Sequence, residues 1–138
     1  MRRWLRGRKR VFILLKTCGV AVGIASVTWD FAVNYFAGLF GVEYWLGIRL
    51  LDSGEIIHIW PEDKAHWAQK LREEFRIPKG LMTAVGNSSG DIELLTTSDQ
   101  AFYLGRDLPK EVDGCVHLPN ADILVVCELI LKRFGIEP

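Results

Sequence analysis

Residues 11 to 45, VFILLKTCGVAVGIASVTWDFAVNYFAGLFGVEYW, form a long apolar stretch that sets the first expectation for the fold. Between Val11 and Trp29 the only formal charge is Lys16. A helix over these 19 residues would rise about 28 Å, close to the ~30 Å hydrocarbon core of a bilayer. The stretch therefore predicts a transmembrane helix near the start of the chain.

Charge is distributed unevenly about this stretch, although the formal net charge of the chain is zero. Seven basic residues and no acidic ones precede Trp29, whereas 17 acidic and ten basic residues follow it. Basic flanks stay on the cytoplasmic or matrix side, which predicts the N-terminus inside and the C-terminal domain outside a bacterial or mitochondrial inner membrane. A cleavable signal peptide ending near Ser26 and a mitochondrial presequence are the alternatives.

Small and polar residues recur through the stretch at steps of three or four positions. They are Gly19, Gly23, Ser26, Asp30, Asn34, Gly38 and Gly41. On one continuous helix they would stay within about a third of the circumference. Small residues let a second backbone approach closely, so they predict a helix-packing face toward other membrane subunits or a second copy of the chain.

Aromatic residues crowd the far end of the stretch, where they predict contact with lipid at the membrane interface. They are Trp29, Phe31, Tyr35, Phe36, Tyr44 and Trp45. Tryptophan and tyrosine favour that depth in a bilayer. Asp30 would then lie just past the span, because a carboxylate at mid-bilayer would need a partner or a water-filled cavity.

The region from residue 46 onward predicts a small folded domain. Ile48–Leu51 and Glu55–Trp60 read as two strands about a tight turn. Pro61–Phe75 predicts an amphipathic helix, because apolar residues recur every four positions and a proline suits the first helical position.

The remaining elements follow from the same patterns. Leu81–Val85 and Asp91–Thr96 flank the glycine-containing loop 86–90, which predicts a hairpin. Val112–Leu118 reads as a strand, and Ala121–Phe134 predicts a helix capped by Asn120 and ended by Gly135. For residues 97–104 two predictions remain: a short helix, or a turn followed by another strand.

Together these elements predict an α+β fold class. A single transmembrane helix would be followed by a small, mostly antiparallel sheet with two packed helices. The predicted organisation is a basic head over residues 1–10, the membrane helix with its aromatic extension over 11–45, and the small domain over 46–138.

The cysteines and histidines supply the few candidates for chemistry. Cys115 and Cys127 lie on a predicted strand and on the helix that would cover it, so they form either a disulfide or two buried thiols. Cys115 and His117 also share one face of that strand, although neighbours on one face seldom reach the geometry of a catalytic dyad.

Motifs for metal, phosphate and nucleophile chemistry do not occur. The sequence lacks C-x-x-C, H-x-x-x-H and H-E-x-x-H spacings, so neither a metal nor another cofactor is expected. The loop 86–90 is not followed by Lys-Ser or Lys-Thr, so a hairpin loop is preferred there to a phosphate cradle. An acidic C-terminal region argues against nucleic acid as a partner.

Two functional hypotheses follow from these patterns. The first is a non-catalytic, single-pass accessory subunit or assembly factor of a membrane complex, motivated by the helix-packing face and by the lack of catalytic residues. The second is a membrane-tethered enzyme or ligand-binding domain. Its site would be near His58, Cys115 and His117, brought together by folding.

Overall fold

The computed structural model describes residues 3–135 of the chain. Arg2 of the predicted basic head and the last three residues of the predicted domain lie outside the described residues, as do the side chains of Arg3 and Arg6. The helices are α1 (Arg3–Thr17), α2 (Asp30–Phe40), α3 (Pro61–Glu74), α4 (Ile92–Thr97) and α5 (Ile123–Arg133). The strands are β1 (Gly23–Trp29), β2 (Tyr44–Leu50), β3 (Ile56–Ile57), β4 (Thr83–Gly86), β5 (Gln100–Tyr103) and β6 (Val116–His117), and short 3₁₀ turns cover Ser89–Asp91 and Lys110–Val112.

The chain divides into two compact units. The residues up to His58, together with those from Asp122 onward, form the first unit, and Ile59–Ala121 forms the second. The division predicted after residues 10 and 45 stays a prediction.

The first unit is built on a parallel pair of strands joined by a helix. β1 pairs in parallel with β2, with Gly23 opposite Tyr44, and α2 makes the crossover that parallel strands require. Gly47 of β2 lies against the start of this helix, since a Cβ added there would come within 2.8 Å of the Asp30 Cα. β3 adds to β2 as a short antiparallel strand.

Three helices contribute most of the buried apolar side chains among the described residues of the first unit, and Val42 lies between α2 and β2. α1 packs against α2 and α5. The fully or nearly buried apolar residues of the unit are Leu15, Val33, Ala37, Val42, Val126, Cys127, Ile130 and Leu131. α5 starts where the Asp122 carboxylate accepts a hydrogen bond from the Leu124 backbone N–H at 2.9 Å, and it ends before Gly135 at φ +73°.

The second unit contains a three-stranded sheet in which every pair is parallel. The strand order is β4-β5-β6, with Gly86 opposite Tyr103 and Tyr103 opposite His117. The carboxyl ends of all three strands therefore meet at one edge of this sheet. α3 packs against α4, and a core of Ala84, Leu95, Tyr103 and Val112 lies within the unit.

The prediction of a membrane anchor over residues 11–45 is wrong. That stretch is divided among a helix that ends at Thr17, a turn through Gly19 at φ +80°, strand β1 and helix α2. Among residues 3–135, none of the helices is both long enough and apolar enough to cross a bilayer. The apolar run instead reflects a parallel strand and the helices packed with it, because such elements also read as continuous apolar sequence.

The predicted helix-packing face does not form, because its seven residues do not share a helix. Gly19 lies in a turn, Gly23 and Ser26 in β1, Asp30, Asn34 and Gly38 in α2, and Gly41 is the C-cap of α2 at φ +69°. The spacing of three and four was thus not evidence of one helix.

The predicted interfacial aromatics divide between two elements. Phe31, Tyr35 and Phe36 of α2 are exposed, with 69%, 67% and 50% of their surface accessible. The Trp29 ring stacks on that of Phe31 with centroids 6.3 Å apart, while Tyr44 and Trp45 are half-buried in β2.

The α+β class with a mostly antiparallel sheet is also wrong, since the fold is α/β with parallel pairing. The main error lies at residues 91–96, read as the second strand of a hairpin, which form the 3₁₀ turn and helix α4. Other elements are confirmed: the antiparallel contact of β2 with β3, the helix from Pro61, the helix before Gly135, and the alternative of a strand within residues 97–104, which is β5. The predicted cap of the last helix is wrong, because its N-cap is Asp122 and not Asn120.

Candidate anion-binding site

The carboxyl edge of the second unit's sheet is the natural place to look for a ligand site. In open α/β sheets, ligands bind in the crevice outside the carboxyl ends of parallel strands. Here β4 ends at Gly86 and runs into the loop Asn87–Asp91, after which α4 begins at Ile92. This loop carries the site described below.

A buried ion pair occupies this loop. The Lys64 ammonium donates a hydrogen bond to Asp91 Oδ1 at 2.9 Å. The two side chains are 6% and 12% exposed. Buried charges of this kind need a partner, because each pays a desolvation penalty of several kcal/mol. The pair is therefore a costly feature that packing alone does not require.

Helix α3 brings Lys64 to the loop. α3 begins at Pro61, and the Asp63 carboxylate accepts a hydrogen bond from the Trp60 backbone N–H at 2.7 Å, which fixes the first turn. Lys64 and Ala65 follow on the buried side of the helix, which packs against the 3₁₀ turn and α4. Local capping and tertiary packing together hold the ammonium at the end of β4.

The second oxygen of Asp91 holds the loop in shape. Asp91 Oδ2 accepts hydrogen bonds from the Asn87 N–H at 3.0 Å, the Ser88 N–H at 3.2 Å and the Ser88 hydroxyl at 3.3 Å. Gly86 is required beneath it, since a Cβ there would lie 2.5 Å from Asp91 Cβ. The carboxylate is thus fixed by both its donors and its packing.

The ammonium has donor capacity beyond this pair. Lysine carries three N–H donors, and among residues 3–135 the hydrogen bond of Lys64 is the one to Asp91. A lysine is a compact positive charge that suits phosphate as well as carboxylate. An anionic ligand that reaches Nζ would find a positive charge already in place.

His117 lies at the same edge of the sheet, at the end of β6. Its Nε2 donates a hydrogen bond to the Gly105 carbonyl at 2.7 Å, because a carbonyl oxygen can only accept. Its ring lies 5.9 Å from the Tyr103 ring. The imidazole is therefore engaged in holding the loop after β5.

The predicted chemistry of Cys115 is not supported. Its side chain packs against the apolar core of the second unit, and burial raises the pKa of its thiol. A nucleophilic cysteine needs a lowered pKa. His58 belongs to the first unit, whereas Cys115 and His117 belong to the second, so the predicted trio is divided between units.

Cys115 and Cys127 are free thiols in the described part of the chain, so the predicted disulfide is not formed. The prediction assumed that the last helix covers the strand of Cys115, but that helix, α5, belongs to the first unit. Burial raises the pKa of the Cys127 thiol to about 11.

Sequence reasoning missed both residues of the ion pair. It assigned Asp91 to a strand and weighed Lys64 only as a polar position on a helix. The signal that would have found Asp91 is Ser88-x-x-Asp91 before an apolar run, a capping-box pattern that announces a helix start. No local pattern predicts the ion pair between Asp91 and Lys64, which are 27 residues apart.

Comparison with known proteins identifies the fold. No protein-family model matches the chain, and no curated protein matches it. Among solved structures, a phosphoserine phosphatase described as a phospho-aspartyl intermediate analogue is 20% identical, with a TM-score of 0.74 over 88% of this chain and 61% of its own. An apo phosphoserine phosphatase is 22% identical, with a TM-score of 0.72 over 90% of this chain and 64% of its own.

A third similar structure is the cobalt-bound deoxy-D-mannose-octulosonate 8-phosphate phosphatase from Haemophilus influenzae. It is 15% identical, with a TM-score of 0.69 over 94% of this chain and 71% of that one. The chain spans a little over three fifths of the length of the two phosphoserine phosphatases. These likenesses show that the chain has an α/β fold shared with these phosphatases.

The prediction of a single-pass, non-catalytic membrane subunit is therefore wrong. It depended on a continuous helix over residues 11–45, which the fold divides, and three similar structures are phosphatases. The predicted membrane location, with the N-terminus inside and the domain outside, fails for the same reason. The expectation that nucleic acid is not a partner stays a prediction.

One similar structure is cobalt-bound. Among residues 3–135, no group of three or more His, Cys, Asp or Glu side chains is arranged to hold a metal ion. Asp91 is the one carboxylate of its loop, since Asn87 to Gly90 are uncharged. A divalent cation at this loop would therefore need oxygen ligands from other parts of the chain, from water or from a ligand.

Proposed function

We propose that this chain is a phosphatase-type protein that binds the phosphate group of a small phosphorylated molecule and takes part in hydrolysis of its ester bond. Lys64 would bind the phosphate, and Asp91 would position Lys64. The observation that carries the proposal is the buried Lys64–Asp91 pair at the carboxyl end of β4 in a fold shared with phosphatases.

Electrostatics supports an anionic ligand at Lys64. One ammonium and one carboxylate leave the pair neutral, but the N–H groups of Lys64 not used by Asp91 can donate to phosphate oxygens. Charge-assisted bonds of this kind are about twice as strong as neutral ones. The low local dielectric around a buried group strengthens them further.

Positioning by Asp91 supports the same proposal. The carboxylate is held by three donors of residues 87 and 88, so it cannot follow a moving lysine. It therefore fixes where the ammonium lies before the ligand arrives. Such preorganisation is what makes a charge effective in phosphoryl transfer, where catalysis is mostly positioning and charge stabilisation.

A second candidate function is binding of a phosphorylated molecule without hydrolysis. It is favoured by the state of the candidate nucleophiles near this edge. Both oxygens of Asp91 accept hydrogen bonds, and the thiol of Cys115 is half-buried with a raised pKa.

The test is to measure phosphate binding and phosphate release with the same protein. Release of inorganic phosphate from p-nitrophenyl phosphate and phosphoserine reports hydrolysis, and calorimetric titration with inorganic phosphate reports binding. We expect Lys64→Met to weaken phosphate binding tenfold or more, which is about 1.4 kcal/mol or more. Lys70→Met, an exposed lysine on the same helix, is the matched control and should bind as wild type does.

Because Lys64→Met leaves a buried carboxylate without its partner, the double variant Lys64→Met/Asp91→Asn separates folding from binding. It removes both charges and keeps an amide oxygen that can accept from residues 87 and 88, so it should recover stability without recovering phosphate affinity. Equal phosphate affinity in wild type and a folded Lys64 variant would refute the proposal. Binding without release would select the second candidate.

A further inference from the structure

We propose that the Tyr103 hydroxyl is a second hydrogen-bond donor to the phosphate group that Lys64 binds. This inference rests on the proposed function, because it assigns a further binding residue to the same site. It follows from three observations on the second unit: a row of residues along the carboxyl edge of its sheet, the fixed position of the Tyr103 ring, and a hydroxyl without a partner.

The first observation is that the row lies on one face of the sheet. Gly86 of β4 pairs with Tyr103 of β5, and Tyr103 pairs with His117 of β6. Residues paired across neighbouring strands share a face, and such strands lie about 4.8 Å apart. The Cβ position of Gly86 is directed at Asp91, and the rings of Tyr103 and His117 are 5.9 Å apart, as this register requires. Tyr103 is therefore the neighbour of Asp91, which holds Lys64, on the same face.

The second observation is that the Tyr103 ring has a fixed position. The residue is 5% exposed and belongs to the apolar core with Ala84, Leu95 and Val112. A Cβ at Gly105 would lie 2.5 Å from the hydroxyl oxygen, so the ring extends along the loop that follows β5. The ring thus carries its hydroxyl to the carboxyl edge of the sheet, where open α/β sheets bind ligands.

The loop after β5 is itself held against the end of β4. The Leu104 N–H donates to the Gly86 carbonyl at 2.8 Å, and the Leu104 carbonyl accepts from the Asn120 N–H at 2.9 Å. His117 donates to the Gly105 carbonyl at 2.7 Å. The tyrosine hydroxyl is therefore placed relative to β4 before a ligand arrives, which lowers the entropy cost of binding.

The third observation is that the Tyr103 hydroxyl has no hydrogen-bond partner among residues 3–135. Buried tyrosines usually pair this group. In the same part of the chain, Thr83 Oγ1 is the one fully buried side-chain oxygen or nitrogen without a partner, so the Tyr103 hydroxyl reaches the surface. Phenylalanine would fill the core equally well, and packing therefore does not account for the oxygen.

A phosphate group suits the two donors together. The Lys64 ammonium supplies the charge, and the tyrosine supplies a neutral O–H that donates at about 2.7–2.8 Å. A hydrogen bond to a charged acceptor contributes more than one to a neutral acceptor. Lysine alone acts on phosphate as a point charge, whereas a second donor from a neighbouring strand also orients the group.

The test is calorimetric titration of the full chain with inorganic phosphate. We expect Tyr103→Phe to weaken phosphate binding about tenfold, which corresponds to about 1.4 kcal/mol. The urea midpoint should stay that of wild type, because the hydroxyl has no partner to lose. Tyr35→Phe, which alters an exposed tyrosine of α2, is the matched control and should bind phosphate as wild type does.

A spectroscopic measurement reports the contact itself. A phenol whose hydroxyl donates to an anion changes its near-ultraviolet absorption. Phosphate should therefore produce a tyrosine difference spectrum in wild type and in Tyr35→Phe, and this signal should be lost in Tyr103→Phe. A purely structural role of the hydroxyl would not produce the signal.

The outcomes separate the two proposals. If Lys64→Met loses phosphate binding while Tyr103→Phe binds as wild type, with or without a lower urea midpoint, the second donor is overturned and the phosphate site stands. If affinity and midpoint both fall in Tyr103→Phe, the difference spectrum decides: a tyrosine signal in wild type supports the second donor, and its absence overturns it. Absence of phosphate binding in wild type would refute the proposed function, and the second donor with it.

Discussion

Two helices of this molecule follow a parallel strand and have an aspartate at their start, and the two aspartates differ in what they contact. Asp30 opens α2 after β1 and is half-buried at the start of a helix whose outer side carries exposed aromatic rings. Asp91 precedes α4 after β4 and is buried in an ion pair with Lys64. Only the second position has the features of a binding site.

The difference arises from what packs over each helix start. A glycine lies against both aspartates: Gly47 against Asp30 and Gly86 against Asp91. Local backbone geometry is therefore tight in both places. At Asp91, however, α3 contributes the Lys64 ammonium from 27 residues away in the sequence. A local sequence pattern determines where each helix begins, whereas the buried ion pair at Asp91 depends on a tertiary contact.

The largest effect should come from removing one charge at the buried position. Asp91→Asn leaves the Lys64 ammonium buried without a counter-charge and weakens the bonds from residues 87 and 88. We expect the free energy of unfolding to fall by about 3–5 kcal/mol. Urea denaturation measures this change.

The matched substitution is Asp30→Asn, which removes only a favourable charge at a helix N-terminus. Its expected cost is about 1 kcal/mol or less. Equal losses of unfolding free energy for Asp91→Asn and Asp30→Asn would contradict this difference between the two helix starts.

Substitution of the two glycines should give an intermediate effect. Gly86→Ala places a methyl group 2.5 Å from Asp91 Cβ, and Gly47→Ala places one 2.8 Å from the Asp30 Cα. Overpacking of this kind typically costs about 1–3 kcal/mol. We expect both variants to unfold at lower urea, and Gly86→Ala also to bind phosphate more weakly because Asp91 must move.

Gly38→Ala is the control for this pair. A Cβ at Gly38 meets nothing within 4 Å, and the residue lies inside α2 at an ordinary helical φ. Alanine should therefore stabilise the helix by about 0.5–1 kcal/mol. A loss at Gly38 similar to that at Gly86 would argue against the close approach described here.

The smallest expected effect is on stability in acid. It is tested on one ion pair from each unit, Arg72–Asp99 in the second and Lys16–Glu43 in the first. Hydrogen bonds from the Met82 N–H and from Arg72 hold the pKa of Asp99 below its usual 3.8. A lowered folded-state pKa contributes stability that is present above pH 3.8 and is lost as the pH falls through the folded-state value. The contribution should be about 1 kcal/mol or less.

Asp99→Asn should therefore be less stable than wild type near neutral pH and should approach it below pH 3.8, as urea midpoints at the two pH values would record. In the first unit, Lys16 lowers the pKa of Glu43, but both side chains are 58% exposed. Glu43→Gln should change the pH dependence less. A larger change for Glu43 would reverse the ranking of the two pairs.

Several elements were predictable because their signals are local. Pro61 followed by acidic residues predicts the start of α3, and Gly135, which adopts a positive φ, predicts the end of α5. A tight turn predicts the pairing of β2 with β3. Each depends on residues within a few positions of one another. The role of Asp91 at a helix start could have been predicted in the same way, because its capping pattern with Ser88 is also local.

The apolar stretch 11–45 shows why the rest was not predictable. Buried parallel strands and helices both give continuous apolar sequence, so a strand between two helices can resemble one long membrane helix. The turn at Gly19 and the strand β1 form because β2 pairs with β1, and β2 lies beyond the intervening helix. No spacing within residues 11–29 carries that information.

The sequence by itself determined the start of α3, the glycine that ends α5 and the short hairpin, because steric and hydrogen-bonding rules act over a few residues. Tertiary structure alone decided the parallel pairing of β1 with β2 and of β4 with β5, and it alone brought Lys64 to Asp91. Those contacts join residues 17 or more positions apart, whose proximity depends on how whole elements pack.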